Sequence, residues 1–238
     1  MTFRMMMAAT AMAALVTGLA PAAMAQAPAD ALTDPSLKGP EVIAFIGVKP
    51  GDTVVDVVAG RFARAFSKAV GPTGKVYAFE PDEVVKVHPD VLTMMKSVAA
   101  NPDTSNVVVA TAPINSPGLP SGVDEVFIRQ NYHDLHDKFM GPADVAAFNK
   151  AVFAALKPGG VFIVLDHAAP AGSGLKDTDT LHRIDEAAVK AEVQAAGFVL
   201  DGESDILANP ADDHSRNVFD PSIRGKTDQF LLKFKKPG

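Results

Sequence analysis

VVDVVAGRFARAFSKAVGPTGKVYAFEPDE, Val54 to Glu83, carries two periodicities in one short span. The run Thr53 to Val58 is apolar and β-branched and follows the turn Pro50-Gly51-Asp52, which predicts a buried strand. Phe62, Phe66 and Val70 then recur every four residues, with Arg61, Arg64 and Lys68 elsewhere around the turn. That spacing predicts a helix with one buried face. Gly71-Pro72-Thr73-Gly74 stops it, and Lys75 to Glu80 reads as a second strand.

The alternation continues outward. Asp82 to Ala100 is helix-like but contains Pro89, which breaks or kinks it. Asn106 to Ala110 and Val123 to Arg129 predict strands three and four, and Pro142 to Leu156 a helix ended by Gly159-Gly160. Val161 to Asp166 is strand five. Asp185 can cap a helix carrying the Glu186–Lys190 pair and terminated at Gly197. Phe198 to Leu207 and Asp228 to Phe234 are the last strands, with no helix between them, which makes them an antiparallel pair. Strand–helix alternation implies a parallel sheet covered on both faces, a Rossmann-like α/β fold.

Upstream the composition changes. Met1 to Ala25 has one charge, Arg4, then an apolar stretch and the small-residue end Ala23-Met24-Ala25. This predicts a secretory signal peptide and a periplasmic location, with an uncleaved anchor as the alternative. Gln26 to Lys38, rich in Ala, Pro and Asp, reads as a flexible linker, and residues 39–238 as one domain. The whole chain has 238 residues, net charge −6 and no cysteine. Thiolate nucleophiles and cysteine zinc sites are thereby excluded, and the acidic balance argues against nucleic acid as partner.

Ligands of open parallel sheets bind beyond the carboxyl ends of the strands. That rule selects Asp56 and Gly60 after strand one, Glu80 after strand two, Asn131, His133 and His136 after strand four, and Asp166-His167 after strand five. The Asn209–Lys226 stretch brings His214, Arg216 and Arg224 to the same edge, where the arginines either hold a substrate anion or are ordinary surface charges. Five of the six histidines, all but His88, fall in or near these loops. Glu80 suits the hydroxyls of a ribose, and equally suits a solvated cap for the next helix.

With Val54–Glu83, a strand ending before Asn131, and ALKPGGVFIVLDH from Ala155 to His167, the chain resembles the class I S-adenosylmethionine-dependent methyltransferases. It is also similar to exported predicted methyltransferases sharing the NYHDLHD and DHAAPAGSG stretches. The resemblance runs from about Lys38 to the C-terminus. It implies a seven-stranded sheet with strand seven antiparallel between five and six, and S-adenosylmethionine over the ends of strands one and two. It places Asp56 and Gly60 at the donor's first motif, Glu80 on its ribose, and Asn131 in the catalytic or substrate-facing loop; the substrate would be a small molecule. The first motif departs from the usual pattern: Val57, Val58 and Ala59 separate Asp56 from Gly60, and Arg61 and Phe62 follow at once. Two glycines are missing, and side chains there narrow the cleft. The acid often found after strand three is replaced by Thr111-Ala112-Pro113.

For the histidines the expected role is general base, His133 first and His167 second, since imidazole titrates near neutrality. No metal is assigned. The alternatives are histidines that order two loops, a divalent ion held by His133, His136 and His167, and a scaffold that binds a ligand without turnover.

Overall fold

The computed structural model describes residues 29–141 and 143–238; the expected signal peptide lies outside them. In chain order the elements are α1 (Gly39–Ile46), β1 (Thr53–Val57), α2 (Ala63–Val70), β2 (Lys75–Pro81), α3 (Asp82–Val87), α4 (Pro89–Ala99), β3 (Val107–Ala112), β4 (Val123–Arg129), α5 (Val145–Ala155), β5 (Leu156–His167), α6 (Thr178–Leu181), α7 (Glu186–Ala195), β6 (Val199–Ser204) and β7 (Gln229–Lys235). They form a seven-stranded sheet in the order β3-β2-β1-β4-β5-β7-β6. β1 to β5 pair in parallel, and β7 lies antiparallel between β5 and β6. This is the Rossmann-like topology that the residues and the resemblance imply.

Alternate residues of each central strand feed two cores. Val55, Val57, Val126, Ile128, Phe162 and Val164 pack with residues of α5 and α7, while Val54, Phe127, Ile163 and Leu165 pack with α1, α2 and α4. The expected helix after β2 is split in two, with His88 between the halves and Pro89 opening the second. β5 starts earlier than predicted because Leu156 already pairs with Val123, and a bulge then passes the register to Val161. Asp185 accepts from the Ala187 amide and Lys190 meets Glu186 at 2.6 Å, as the sequence suggests.

The expected linker is corrected over its described part. Ala31 and Leu37 are buried, Asp30 reaches Arg64 at 2.8 Å, and Asp34 reaches Arg61 at 2.5 Å. Apolar side chains among the Ala, Pro and Asp residues hold this segment against α2, and composition alone hid them. No helix among the described residues is long and apolar enough to cross a membrane.

Candidate functional site

At the carboxyl ends of β1 and β2 the chain buries two acids with little to neutralise them. Asp56 accepts a bond from the Gly60 amide, and burial still pushes its carboxyl up to about 7. Glu80 is fully buried and neither carboxylate oxygen has a partner among the described residues. Desolvation, and Asp56 beside it, push it up to about 8. An orphaned buried carboxyl costs stability, and in a native protein it calls for an explanation.

The turn between β1 and α2 shows how the missing glycines are replaced. Val58 has φ 51, a left-handed conformation that a β-branched residue adopts only at a cost. Gly60 lies outside that region and a Cβ added there would meet nothing within 4 Å. Phe62 is buried against Phe66 and Phe127, and the Arg129 guanidinium lies 5.8 Å from its ring centre. Burial and Arg61 lower Arg129 to about 10, leaving it a cation at neutral pH. Asp56, Val58, Gly60, Arg61, Phe62, Phe127, Arg129 and Asn131 enclose a chamber of about 130 Å³.

Beyond β4 and β5 the edge is different. The fully buried Asp166 accepts from the His133 amide at 2.9 Å, His133 Nδ1 at 2.8 Å and the His167 amide at 2.7 Å. His133 Nε2 stands 3.2 Å from Asp134 Oδ1 and 3.3 Å from His182 Nδ1. Asn131 Nδ2 donates to the other Asp134 oxygen at 2.6 Å. Burial alone would lower His133, but Asp166 and Asp134 outweigh it and push the imidazole up to about 10. Burial likewise opposes the bonds from His133, His182 and Asn131 that hold Asp134 well below the usual carboxylate range.

These surroundings correct the expected base. A charged imidazole between two carboxylates has no lone pair with which to take a proton. His167 is the opposite case: burial lowers it to about 3, so it stays neutral, and Nδ1 faces Thr227 Oγ1 at 2.8 Å. So low a value makes it a weak base and a better hydrogen-bond partner. His136 turns away to Glu192 at 3.2 Å, so the triad His133, His136 and His167 does not converge.

Two cavities meet here. One of about 500 Å³ is lined by Asn131, His133, Asp134, His167 and His182 among others, and one of about 260 Å³ by Arg61, Arg129, His167, Phe219 and Arg224. His88, the histidine set apart by sequence position, also borders the larger. The long stretch after β6 is fastened by a residue the sequence did not single out. Arg183, fully buried, bonds both Asp212 oxygens, the Arg216 carbonyl and the Ala168 carbonyl. Asp212 thus serves Arg183; Arg216 instead reaches Ser222, and Arg224 faces the Phe219 ring.

No protein-family model and no curated protein matches the chain. Solved structures do share its fold. An S-adenosylmethionine-dependent methyltransferase from Aquifex aeolicus is 21% identical with a TM-score of 0.58, over 82% of this chain and 88% of that one. The YcgJ protein of Bacillus subtilis is 18% identical at 0.56, over 85% and 98%. The cyclase SpnF is 14% identical at 0.59, over 85% and 80%. At these identities the likeness is one of fold, and that fold is the one found in class I S-adenosylmethionine-dependent methyltransferases. Fold does not by itself define chemistry.

The donor typical of that fold meets two kinds of surroundings here. Its nucleoside half fits, because the buried Glu80 carboxyl, both oxygens unpaired among the described residues, has hydrogen-bonding capacity suited to a ribose diol. Its methionine half meets a chamber of about 130 Å³, below the roughly 300 Å³ at which small-ligand pockets begin. Arg61, one wall of it, is tied to Asp34 and to the Ala29 carbonyl.

Proposed function

We propose that the protein is an exported methyltransferase that takes the methyl group of S-adenosylmethionine to a small-molecule acceptor. The observation that carries this reading is Glu80, buried with both oxygens unpaired at the end of β2. No hydrogen bond from the described residues compensates that carboxyl, whereas a ribose would supply one. Asp56 and Gly60 face the methionine part, and the donor, when bound, supplies an electrophilic methyl group. The 500 Å³ cavity receives the acceptor, a volume within the ordinary range for small ligands. Asn131 borders both this cavity and the donor chamber and orients Asp134. His167 offers the acceptor a neutral hydrogen-bonding ring, and His133 contributes fixed charge. The periplasmic location rests on the Met1–Ala25 pattern, and the small-molecule substrate on the acidic charge balance.

A second reading, ligand binding without methyl transfer, is favoured by Val58, Phe62 and Arg129 crowding the turn that glycines usually open. Calorimetric titration of the full chain with S-adenosylmethionine and its demethylated product separates the two. Micromolar binding, weakened by about 1–3 kcal/mol in Glu80→Ala, supports methyl transfer. Absence of binding at millimolar ligand removes it.

A further inference from the structure

Four side chains from two separate parts of the chain converge beside the larger cavity. His133, Asp134 and Asp137 come from the turn after β4, and His182 from the end of α6. One ligand-type atom from each lies within 4.8 Å of every other. The separations are 3.2 Å from His133 Nε2 to Asp134 Oδ1, 3.3 Å from His133 Nε2 to His182 Nδ1, and 3.7 and 3.9 Å from His182 Nδ1 to Asp134 Oδ1 and Asp137 Oδ2. A tetrahedron of nitrogen and oxygen ligands about 2.0–2.2 Å from zinc has edges of about 3.3–3.6 Å. The cluster already has nearly that size.

Two further observations distinguish it from a chance polar network. Asp137 is 2% exposed and bonded by the Thr178 side chain, yet its Oδ1 has no hydrogen-bond partner among the described residues, so a buried acceptor still lacks a counterpart. The surroundings also hold the other members in ligating orientation. Asp166 accepts from His133 Nδ1 and thereby turns Nε2 toward the cluster, the carboxylate–histidine arrangement that supports metal-bound imidazoles. Asn131 fixes one oxygen of Asp134 and leaves the other facing the two histidines. His182 is held with φ 53, its ring 5.0 Å from that of Phe219.

We propose that His133 Nε2, His182 Nδ1 and one oxygen each of Asp134 and Asp137 bind a divalent transition-metal ion, zinc foremost. Two imidazoles and two carboxylates suit that class of ion, and its binding expels to solvent the proton that His133 Nε2 otherwise holds. His133, Asp134 and His182 line the 500 Å³ cavity, so the four-ligand ion borders the space that a ligand enters. The ligand set differs from the His133, His136 and His167 triad, and the site does not depend on the methyl-transfer reading.

The test is titration of the tag-free full chain, first stripped with a chelator, with zinc alone and no methyl donor present. One ion per chain with micromolar or tighter affinity is expected. His182→Ala alters the most exposed of the four ligands, and Asp137→Asn keeps the shape of its side chain. Each should weaken binding roughly ten-fold or more, while His136→Ala leaves it unchanged. Cobalt in place of zinc should give the visible bands of a low-coordinate ion, lost in His182→Ala. Circular dichroism checks that each variant is folded. Absence of saturable binding at millimolar zinc overturns the proposal. So does wild-type affinity in folded His182→Ala and Asp137→Asn. Neither result touches the donor titration.

Discussion

The two halves of the ligand edge handle buried charge in opposite ways. Over β1 and β2, Asp56 and Glu80 are buried with three of their four carboxylate oxygens unpaired, and both drift toward the neutral acid. Over β4 and β5, Asp166 and Asp134 are buried just as deeply but surrounded by donors. The first pattern is what a site completed by its ligand requires; the second is a framework already complete except at Asp137. The donor reading therefore rests on the half of the edge whose acids lack partners, and the rigid frame of the acceptor cavity and of the proposed metal site on the other half.

The contrast breaks most visibly at Asp166. Asp166→Ala leaves the His133 imidazole and two amides without their acceptor and should cost about 3–5 kcal/mol of unfolding free energy, measured by urea denaturation. A neutral result would show that the histidine edge is not the rigid one.

The next effect is in pH. Asp56 and Glu80 have folded values near 7 and 8 against ordinary values of 3.8 and 4.5, and Glu125 on β4 is pushed from 4.5 to about 9 by burial and by Asp52 beside it. Because the folded state keeps protons that the unfolded chain has released, their contribution is whole below pH 4 and is lost as pH rises toward 9. Melting curves across that window should show a fall on the order of a few kcal/mol. Glu80→Gln should flatten the curve and leave the protein as stable or more so near pH 8, while weakening the donor about ten-fold or more. Destabilisation by Glu80→Gln as large as by Asp166→Ala would abolish the contrast.

The smallest effect is expected at Val58. Val58→Gly relieves the left-handed backbone, worth about 1–2 kcal/mol, and this offsets lost packing and glycine's own entropy, so stability should change by less than about 1 kcal/mol. Val57→Gly, one residue earlier and fully buried in the strand, should cost about 3 kcal/mol or more. Calorimetry on Val58→Gly should also show tighter donor binding, since the chamber widens.

The sheet was legible because its strands carry β-branched and aromatic runs, Thr53 to Val58 above all, bounded by glycine and proline turns. The rule that ligands gather at strand ends likewise singled out Asp56, Gly60, Glu80, Asn131, His133 and His167, all of which lie along that edge. What it could not convey was protonation. His133 and His167 look alike in sequence, yet carboxylates make one a cation and burial makes the other neutral. Nor could spacing reveal His182, which reaches His133 across 49 positions of chain. Arg183 is a lone arginine beside it, with no motif to mark a residue that fastens an entire loop. In the glycine turn, the missing residues were visible; that Val58 takes over the left-handed position was not.

Among the described residues β7 is the only strand that pairs with β6, and it lies between β6 and β5. The assembly order of the sheet follows from this. The five parallel strands can form through their neighbours, but β6 stays unattached until β7 arrives from beyond the long Arg183-held loop. Until then β5 presents an unpaired edge, an apolar template for other chains. Closing β7 against β5 joins segments about as far apart in sequence as β1 and β4 are, and long-range pairing of this kind is slow; for as long as β5 lacks β7, its edge is open to aggregation.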